Sequence, residues 1–188
     1  MLGEENAKKP VELIERVEKY RGHVITVYED KVKVGGRETY WDYIHHNGAA
    51  AVLPVTDGGK ILMVRQYRHP LGRYILEIPA GKRDGDEDLR TCAIRELEEE
   101  TGYKAESFEY LLSINTTVAF LDEYIEIFLA RGLHPGDVKW DADEELGLEE
   151  WELDDLIDLV RRGELTDSKT VSAIMTYAQM KGDRSWKN

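Results

Sequence analysis

Residues 81–103, GKRDGDEDLRTCAIRELEEETGY, decide the fold of this chain because they describe one helix with an unusually acidic end. Gly102 is the kind of residue that most often stands just past the end of a helix. Three consecutive glutamates, residues 98–100, therefore occupy the last predicted turn. The helix dipole is negative there, and each anion costs roughly 0.3–1 kcal/mol. The stretch predicts a helix that requires a cationic partner.

A helical wheel at about 100° per residue predicts that several of these carboxylates point into the protein. The apolar stripe that begins at Leu89 continues into Glu96 and Glu100, and Glu99 lies at its edge. Buried anions at this density either take up protons or bind a cation. Oxygen ligands alone suit a hard cation, Mg²⁺ or Mn²⁺, better than Zn²⁺. The helix therefore predicts a metal site.

The same wheel predicts the surroundings of the cluster. Arg95 lies one turn before Glu99 and is expected to pair with it. Glu98 falls on the opposite, solvent-exposed face, and Glu87 is predicted to lie near it. The single cysteine, Cys92, lies on the apolar face, so packing is expected rather than chemistry.

The spacing of these residues is more specific than their composition. Gly81 is followed after five residues by Glu87 and after seven more by the pair Arg95-Glu96, and the run closes with Thr-Gly. This order resembles the Nudix box, the signature of the Nudix hydrolase family, and every signature position is filled. The resemblance implies an α+β protein with the Nudix fold, an α/β/α sandwich with a mixed β-sheet, here preceded by a small N-terminal antiparallel β-arm.

Length and charge restrict the possible partners. The 188 residues suffice for one domain with a full core and a small extra element. No stretch approaches the ~20 apolar residues of a membrane span. The net charge of −13 would repel a long nucleic acid. We expect neither a nucleic-acid nor a membrane partner. The N-terminal residues lack a signal-peptide core, and one cysteine forms no internal disulfide, so the expected location is the cytoplasm.

Residues 1–47 are predicted to form the β-arm, and residues 48–188 the hydrolase domain. RGHVITVYEDKVKV and RETYWDYIHH flank Gly35-Gly36, as the strands of a hairpin flank a two-residue turn. The preceding PVELIERVEK fits either a helical turn or a strand. A free hairpin is marginal in water, so the arm must pack on something else. A second copy in a homodimer is the preferred partner, and packing on its own domain is the alternative.

The remaining pattern predicts a mixed sheet with helices on both faces. AAAVLPV and KILMVRQYR are predicted to pair as a hairpin, and YILEIPAG to form one further strand. Two more strands follow the acidic helix, and another lies near residues 148–153. Two helices are predicted near residues 154–162 and 167–180, the second capped by Thr166 or Asp167.

Several residues outside the acidic helix fit a phosphate-binding site. Arg65 and Arg68 lie at or just past a strand end, where they serve either as ordinary edge charges or as a clamp on phosphate oxygens. Glu77 alternates with apolar neighbours and points either to solvent or to a site. The Pro-Ala-Gly turn that follows presents the carbonyl of Ala80, where a cation could use it.

From about residue 49 to residue 177 the chain resembles the ADP-ribose pyrophosphatase branch of the Nudix hydrolases. The motifs that carry this are VRQYR, LEIPAG, the FLDE run at residues 120–123 and GELTDSKTVSAI. The resemblance implies Mg²⁺-dependent hydrolysis of the diphosphate of a nucleoside diphosphate sugar, most simply ADP-ribose to AMP and ribose 5-phosphate. It also implies that the N-terminal strands are exchanged between the subunits of a homodimer.

The resemblance assigns roles to individual residues. Metal would be held by Glu96, Glu99, Glu100 and the Ala80 carbonyl. Arg95 would orient the carboxylates, and Glu144 or Glu145 on the late acidic loop would complete the metal site or act as base. The substrate-binding candidates are Arg65, Arg68, Glu77 and Phe120.

Two alternatives stay open. Val118-Ala119 stands where the branch usually has Pro-Gly, so GDP-mannose or another nucleoside diphosphate sugar is the second candidate substrate. A catalytically silent Nudix-fold nucleotide-binding module is the alternative to an enzyme. Such a module would be expected to carry a degraded box, whereas this box is complete.

Overall fold

The structure, a computed structural model, describes residues 10–136 and 147–182. Within these ranges the chain forms two compact units. The first combines the N-terminal segment up to Asn47 with residues Thr117–Glu123, and the second contains the rest of the described chain.

The first unit is built on a three-stranded antiparallel sheet in the order β1 (Val11–Arg21), β2 (Ile25–Val34) and β3 (Arg37–His46). The predicted hairpin between β2 and β3 is confirmed. Gly35 and Gly36 have φ values of 56° and 84°, as a two-residue hairpin turn of the primed type requires. The segment for which the sequence left two readings is a strand, because β1 pairs along the length of β2.

Residues 117–123 are held to β3 by hydrogen bonds. The Ile44 amide donates to the Phe120 carbonyl at 2.7 Å. The Asp122 carboxylate accepts from the Tyr43 hydroxyl and from the His46 amide at 2.8 Å. These bonds fix the backbone of Phe120 in the first unit, and its side chain is exposed.

The second unit contains two sheets and three α-helices. A four-stranded mixed sheet has the order β7-β4-β9-β8, and a three-stranded antiparallel sheet has the order β10-β5-β6. The strands are β4 (Ala49–Pro54), β5 (Ile61–Arg68), β6 (Arg73–Glu77), β7 (Ala80–Lys82), β8 (Tyr103–Asn115), β9 (Tyr124–Pro135) and β10 (Gly147–Trp151). The helices are α1 (Leu89–Thr101), α2 (Leu153–Arg161) and α3 (Ser168–Gly182), with a 3₁₀ turn at His69–Leu71. In the described part of the chain, no helix is both long and apolar enough to cross a membrane.

Two details of the predicted strand pairing are wrong. The β4 and β5 strands lie in different sheets, and in the described chain an isolated bridge between Val55 and Ile61 is the only ladder pairing of the two segments. The reason is that β7 and β9 already occupy both edges of β4, so β5 pairs with β6 and β10. YILEIPAG forms two strands rather than one, because Pro79 cannot donate to a ladder and its carbonyl instead accepts from the Val52 amide at 2.9 Å.

Helices cover both faces of the four-stranded sheet, as predicted. Alternate residues of β4 point to opposite faces, so Val52 packs towards α1 and Leu53 packs in the core that contains α2 and α3. Cys92 lies in the core on the α1 side, and burial raises the pKa of its thiol to about 12. The thiol is therefore protonated near neutral pH and packs as an apolar group, as predicted.

Candidate active site

Local chemistry fixes both ends of α1. The Asp88 side chain accepts a hydrogen bond from the Thr91 amide at 3.2 Å and so caps the first turn. Gly102 adopts a left-handed conformation with φ of 72°, and its amide donates to the Glu98 carbonyl at 2.8 Å. The predicted end of the helix is confirmed, and the three glutamates occupy its last turn.

Arg95 is the cationic partner that the acidic helix requires. Its Nη1 donates to Glu96 Oε1 at 2.6 Å and to Glu99 Oε2 at 2.8 Å. Its Nη2 donates to Glu87 Oε2 at 3.0 Å and to the Lys82 carbonyl at 3.2 Å. These bonds, the one to Glu87 first, raise the pKa of Arg95. One guanidinium therefore orients three carboxylates.

The predicted location of Glu87 is wrong. Glu87 precedes the first residue of α1, so its direction does not follow the helical wheel. Its carboxylate turns back to Arg95 and is mostly buried. The hydrogen bond from Arg95 lowers the pKa of Glu87, which keeps that carboxylate ionised.

The inward direction of Glu96 and Glu100 is confirmed, because both are buried. Glu100 Oε2 accepts a hydrogen bond from the Ala80 amide at 2.9 Å. The Glu96 carboxylate lies against Gly81, and a β-carbon at that glycine would overlap it. Gly81 does not have a positive φ, so a glycine is needed there for space rather than for backbone conformation.

Glu98 and Glu99 are both half-buried, and different cations hold them. Glu99 pairs with Arg95, as predicted. Glu98 pairs with Lys104 of β8, where its Oε1 lies 3.1 Å from the ammonium. The helical wheel correctly predicts that Glu98 lies apart from the carboxylates that bind Arg95. Glu98 is half-buried, however, and therefore less exposed than the wheel predicts.

The donor set fits a hard divalent cation. Within the described ranges, no three His, Cys, Asp or Glu side chains already converge as metal ligands. Instead, Glu96 and Glu99 are directed at Arg95, and Glu100 is directed at the backbone of Ala80. All the donors are oxygens, and the Glu96 carboxylate occupies the space that a β-carbon at Gly81 would fill. The two loop candidates, Glu144 and Glu145, lie outside the described residues.

The structure separates the two candidate arginines of β5. Arg65 Nε lies 2.5 Å from Glu149 Oε1 on β10, so Arg65 forms an ion pair between neighbouring strands. Arg68 donates to Glu77 from Nε at 2.6 Å and from Nη2 at 2.8 Å. Glu77 is buried, so the alternative in which it points to solvent is wrong, and the alternative in which it serves a site stays a prediction.

Lys169 binds Glu77, and the sequence analysis did not predict this contact. Its ammonium donates to Glu77, although the two residues are 92 positions apart. A signal was present, because Lys169 shares one face of α3 with Ala173 and Tyr177, both of which are buried. A lysine on an otherwise apolar stripe indicates a buried counter-ion.

The sequence model of the NUDIX domain matches residues 45–174, which is more than half of the chain. The chain belongs to the Nudix hydrolase family. Nudix hydrolases generally use divalent metal ions, in agreement with the oxygen donors gathered around α1. The predicted Nudix fold is confirmed by a solved ADP compounds hydrolase, which superposes with a TM-score of 0.84 at 22% identity and covers 95% of this chain and 98% of its own.

Curated relatives of this Nudix hydrolase extend over most of its length. An ADP-ribose pyrophosphatase of Bacillus subtilis (strain 168) is 42% identical over 165 residues, which are 86% of this chain and 89% of the relative. A methanol dehydrogenase activator of Bacillus methanolicus is 41% identical over 164 residues, 86% of this chain and 88% of the relative. A GDP-mannose pyrophosphatase of Cronobacter sakazakii is 30% identical over 153 residues, which are 74% of this chain and 77% of the relative.

The contact between Gly81 and Glu96 gives a testable expectation. In the variant Gly81→Ala, the new methyl group displaces the Glu96 carboxylate, which is the end of a flexible side chain. We expect kcat to fall about tenfold or more, because a misplaced carboxylate group no longer serves the site. The midpoint of thermal unfolding should change little. Steady-state kinetics and calorimetry measure the two effects.

Gly58→Ala is the matched control. A β-carbon at Gly58 has only the Thr56 hydroxyl oxygen nearby, at 3.8 Å, and Gly58 also lacks a positive φ. Its kcat should equal that of the wild type. Equal kcat for Gly81→Ala and Gly58→Ala would show that the position of Glu96 does not matter for turnover.

Proposed function

We propose that this Nudix hydrolase cleaves the diphosphate bond of a nucleoside diphosphate sugar, with ADP-ribose as the preferred substrate and AMP and ribose 5-phosphate as products. The observation that carries the proposal is the set of three carboxylates, from Glu87, Glu96 and Glu99, gathered around Arg95. The extensive likeness to an ADP-ribose pyrophosphatase supports the choice of substrate. A silent binding module would not need this many carboxylates at a helix end, where they oppose the dipole.

We further propose Mg²⁺ as the metal, with Mn²⁺ as a substitute. Glu96, Glu99, Glu100 and the Ala80 carbonyl would hold it, and Glu144 or Glu145 would complete the site or act as base. A bound divalent metal would neutralise the diphosphate oxygens and activate a water for attack. The protein contributes the orientation of its ligands. Arg95 holds two of the carboxylates, and the Ala80 amide holds Glu100.

Arg68 is the arginine best placed to hold the diphosphate. Its guanidinium is part-exposed, and a planar fork of donors matches phosphate oxygens. Glu77 would hold the Arg68 guanidinium in one orientation through its two hydrogen bonds. Arg65 remains a candidate whose present partner is Glu149, and the exposed ring of Phe120 remains a candidate for contact with the base or the sugar.

A nucleotide panel tests the proposal. The wild-type protein is incubated with ADP-ribose, GDP-mannose, other nucleoside diphosphate sugars and nucleoside triphosphates, each with Mg²⁺ and with EDTA, and products are separated by chromatography. We expect metal-dependent release of AMP and ribose 5-phosphate with the highest kcat/KM for ADP-ribose. A triphosphate as the best substrate would contradict the proposal. GDP-mannose is included because the Cronobacter relative is a GDP-mannose pyrophosphatase. A preference for GDP-mannose would instead assign substrate selectivity to Val118-Ala119, which stands in place of the usual Pro-Gly.

We also propose that residues 1–47 form a dimerising arm, that residues 48–188 form the hydrolase domain, and that the enzyme works in the cytoplasm as a homodimer. The support is β1, nearly all of which is exposed, including the apolar Leu13, Ile14 and Tyr20. An uncovered strand with such side chains invites pairing with a second copy.

Light scattering of the full-length protein tests the arm. We expect a dimer for the wild type at micromolar concentration and a monomer for the double variant Leu13→Lys/Ile14→Lys, because lysines on an edge strand oppose association. Val24→Lys is the control, since Val24 is equally exposed but lies in the turn between β1 and β2. A monomeric wild type rules out the dimer, and a double variant that stays dimeric places the interface elsewhere.

A further inference from the structure

A cluster of four charged side chains joins the end of β6 to the first turn of α3. Glu77 accepts hydrogen bonds from Arg68 Nε, from Arg68 Nη2 and from the Lys169 ammonium. Lys169 Nζ also lies 3.0 Å from Asp167 Oδ2, and the same oxygen accepts two bonds from Thr170. The two carboxylates and two cations balance in formal charge.

Exposure decreases from Arg68 towards the interior of the cluster. The exposed fraction of the side chain is 38% for Arg68, 8% for Lys169 and 2% for Glu77. Arg68 is therefore the member that a ligand can reach. The Glu77 hydrogen bond is the main factor that raises the pKa of Arg68, and the charge of Glu100 contributes to the same rise. Arg68 thus lies within electrostatic range of Glu100 at the end of α1.

A buried carboxylate must keep a cationic partner. If Arg68 were the sole partner of Glu77, it could not turn towards a phosphate without leaving that carboxylate unpaired, which is strongly unfavourable. Lys169 removes this conflict, because it donates to Glu77 Oε2, the same oxygen that receives Arg68 Nη2. Glu77 therefore stays paired whether or not Arg68 engages a ligand.

We propose that Lys169 is a positioning residue for substrate, which acts through Glu77 to leave Arg68 available to the diphosphate. The inference rests on the proposed function, since the ligand of Arg68 is taken to be a nucleoside diphosphate sugar. Without Lys169, Arg68 becomes the only counter-ion of Glu77 and is held away from the phosphate. The competing explanation is that Lys169 merely fastens α3 to β6.

The variant Lys169→Met separates these explanations by its kinetics. With the nucleoside diphosphate sugar that the wild type hydrolyses best, we expect KM to rise about tenfold while kcat stays within about threefold, because the lost binding is equal in the ground state and the transition state. If Lys169 only holds α3 against β6, Lys169→Met should lower the amount of folded enzyme and leave KM unchanged. Lys181→Met is the matched control on the same helix, since Lys181 is exposed, and its KM should equal that of the wild type.

A double-mutant cycle with Glu77→Gln tests the route of the effect, because this variant leaves no buried anion without a cation. If Lys169 acts through Glu77, Lys169→Met raises KM in the wild type but not in Glu77→Gln, where no carboxylate holds Arg68. An equal rise in KM in both backgrounds would overturn the inference, and so would a fall in kcat at unchanged KM. Circular dichroism checks the fold of each variant, and Lys169→Gln replaces Lys169→Met if the latter does not fold, because it keeps a donor for Glu77 without the charge.

The wild-type measurement keeps the two proposals apart. Absence of wild-type turnover on every nucleoside diphosphate sugar overturns the proposed function and this inference with it. Normal wild-type turnover combined with independent effects of Lys169→Met and Glu77→Gln overturns this inference alone.

Discussion

Replacing Glu100 with glutamine is expected to lower kcat roughly a hundredfold or more, a loss of about 2.7 kcal/mol of transition-state stabilisation. Glu100 is buried at the end of α1 beside Ala80, and its role as a proposed metal ligand requires its charge. Glutamine has the same size and keeps an oxygen for the Ala80 amide, so the fold should be retained. Glu99→Gln, which removes a second carboxylate of the same cluster, should have an effect of similar size.

Glu98→Gln is the control for both variants, because it changes the same residue type in the same helical turn. Glu98 pairs with Lys104, away from Arg95. Its kcat should stay close to that of the wild type, while circular dichroism shows all three variants folded. A loss at Glu98 as large as that at Glu100 would mean that the metal ligands are assigned to the wrong face of α1.

Truncating Leu97 to alanine is expected to lower the free energy of unfolding by about 2–5 kcal/mol. Leu97 is fully buried in the core between α1 and the four-stranded sheet, where Phe128 and Val52 also lie. Alanine removes its contacts and leaves a cavity. Chemical denaturation of the full-length protein in urea measures the loss.

Ile94→Ala is the matched control for Leu97→Ala. Ile94 lies on the same helix and is of the same size, but its side chain is exposed. Its replacement should change the free energy of unfolding by less than about 1 kcal/mol, as surface substitutions usually do. Equal losses for the two variants would mean that α1 does not pack on the sheet through Leu97.

The parts of the site that follow from local chemistry could be predicted from the sequence. The end of α1 depends on Gly102, and the direction of Glu96 and Glu100 depends on their spacing from Leu89. Glu87 falls outside this reasoning, because it stands before the helix begins and no helical period applies to it. Its pairing with Arg95 depends on how the preceding loop turns back.

The parts that depend on distant residues could not be predicted. Arg65 and Arg68 look equivalent in VRQYR, yet one pairs with Glu149, 84 positions away, and the other with Glu77. The assignment of β5 to a second sheet likewise depends on strands that come later in the chain and take both edges of β4. Spacing along a sequence carries no information on which of two like residues meets a given partner.

The contact between Gly81 and Glu96 links the substitutions that the two positions can accept in evolution. What excludes a side chain there is the carboxylate of Glu96 rather than the local backbone conformation. A descendant of this chain that gained a side chain at position 81 would displace this carboxylate unless position 96 had first shortened or changed direction. A lineage that depends on the present position of the carboxylate is therefore expected to keep glycine at 81.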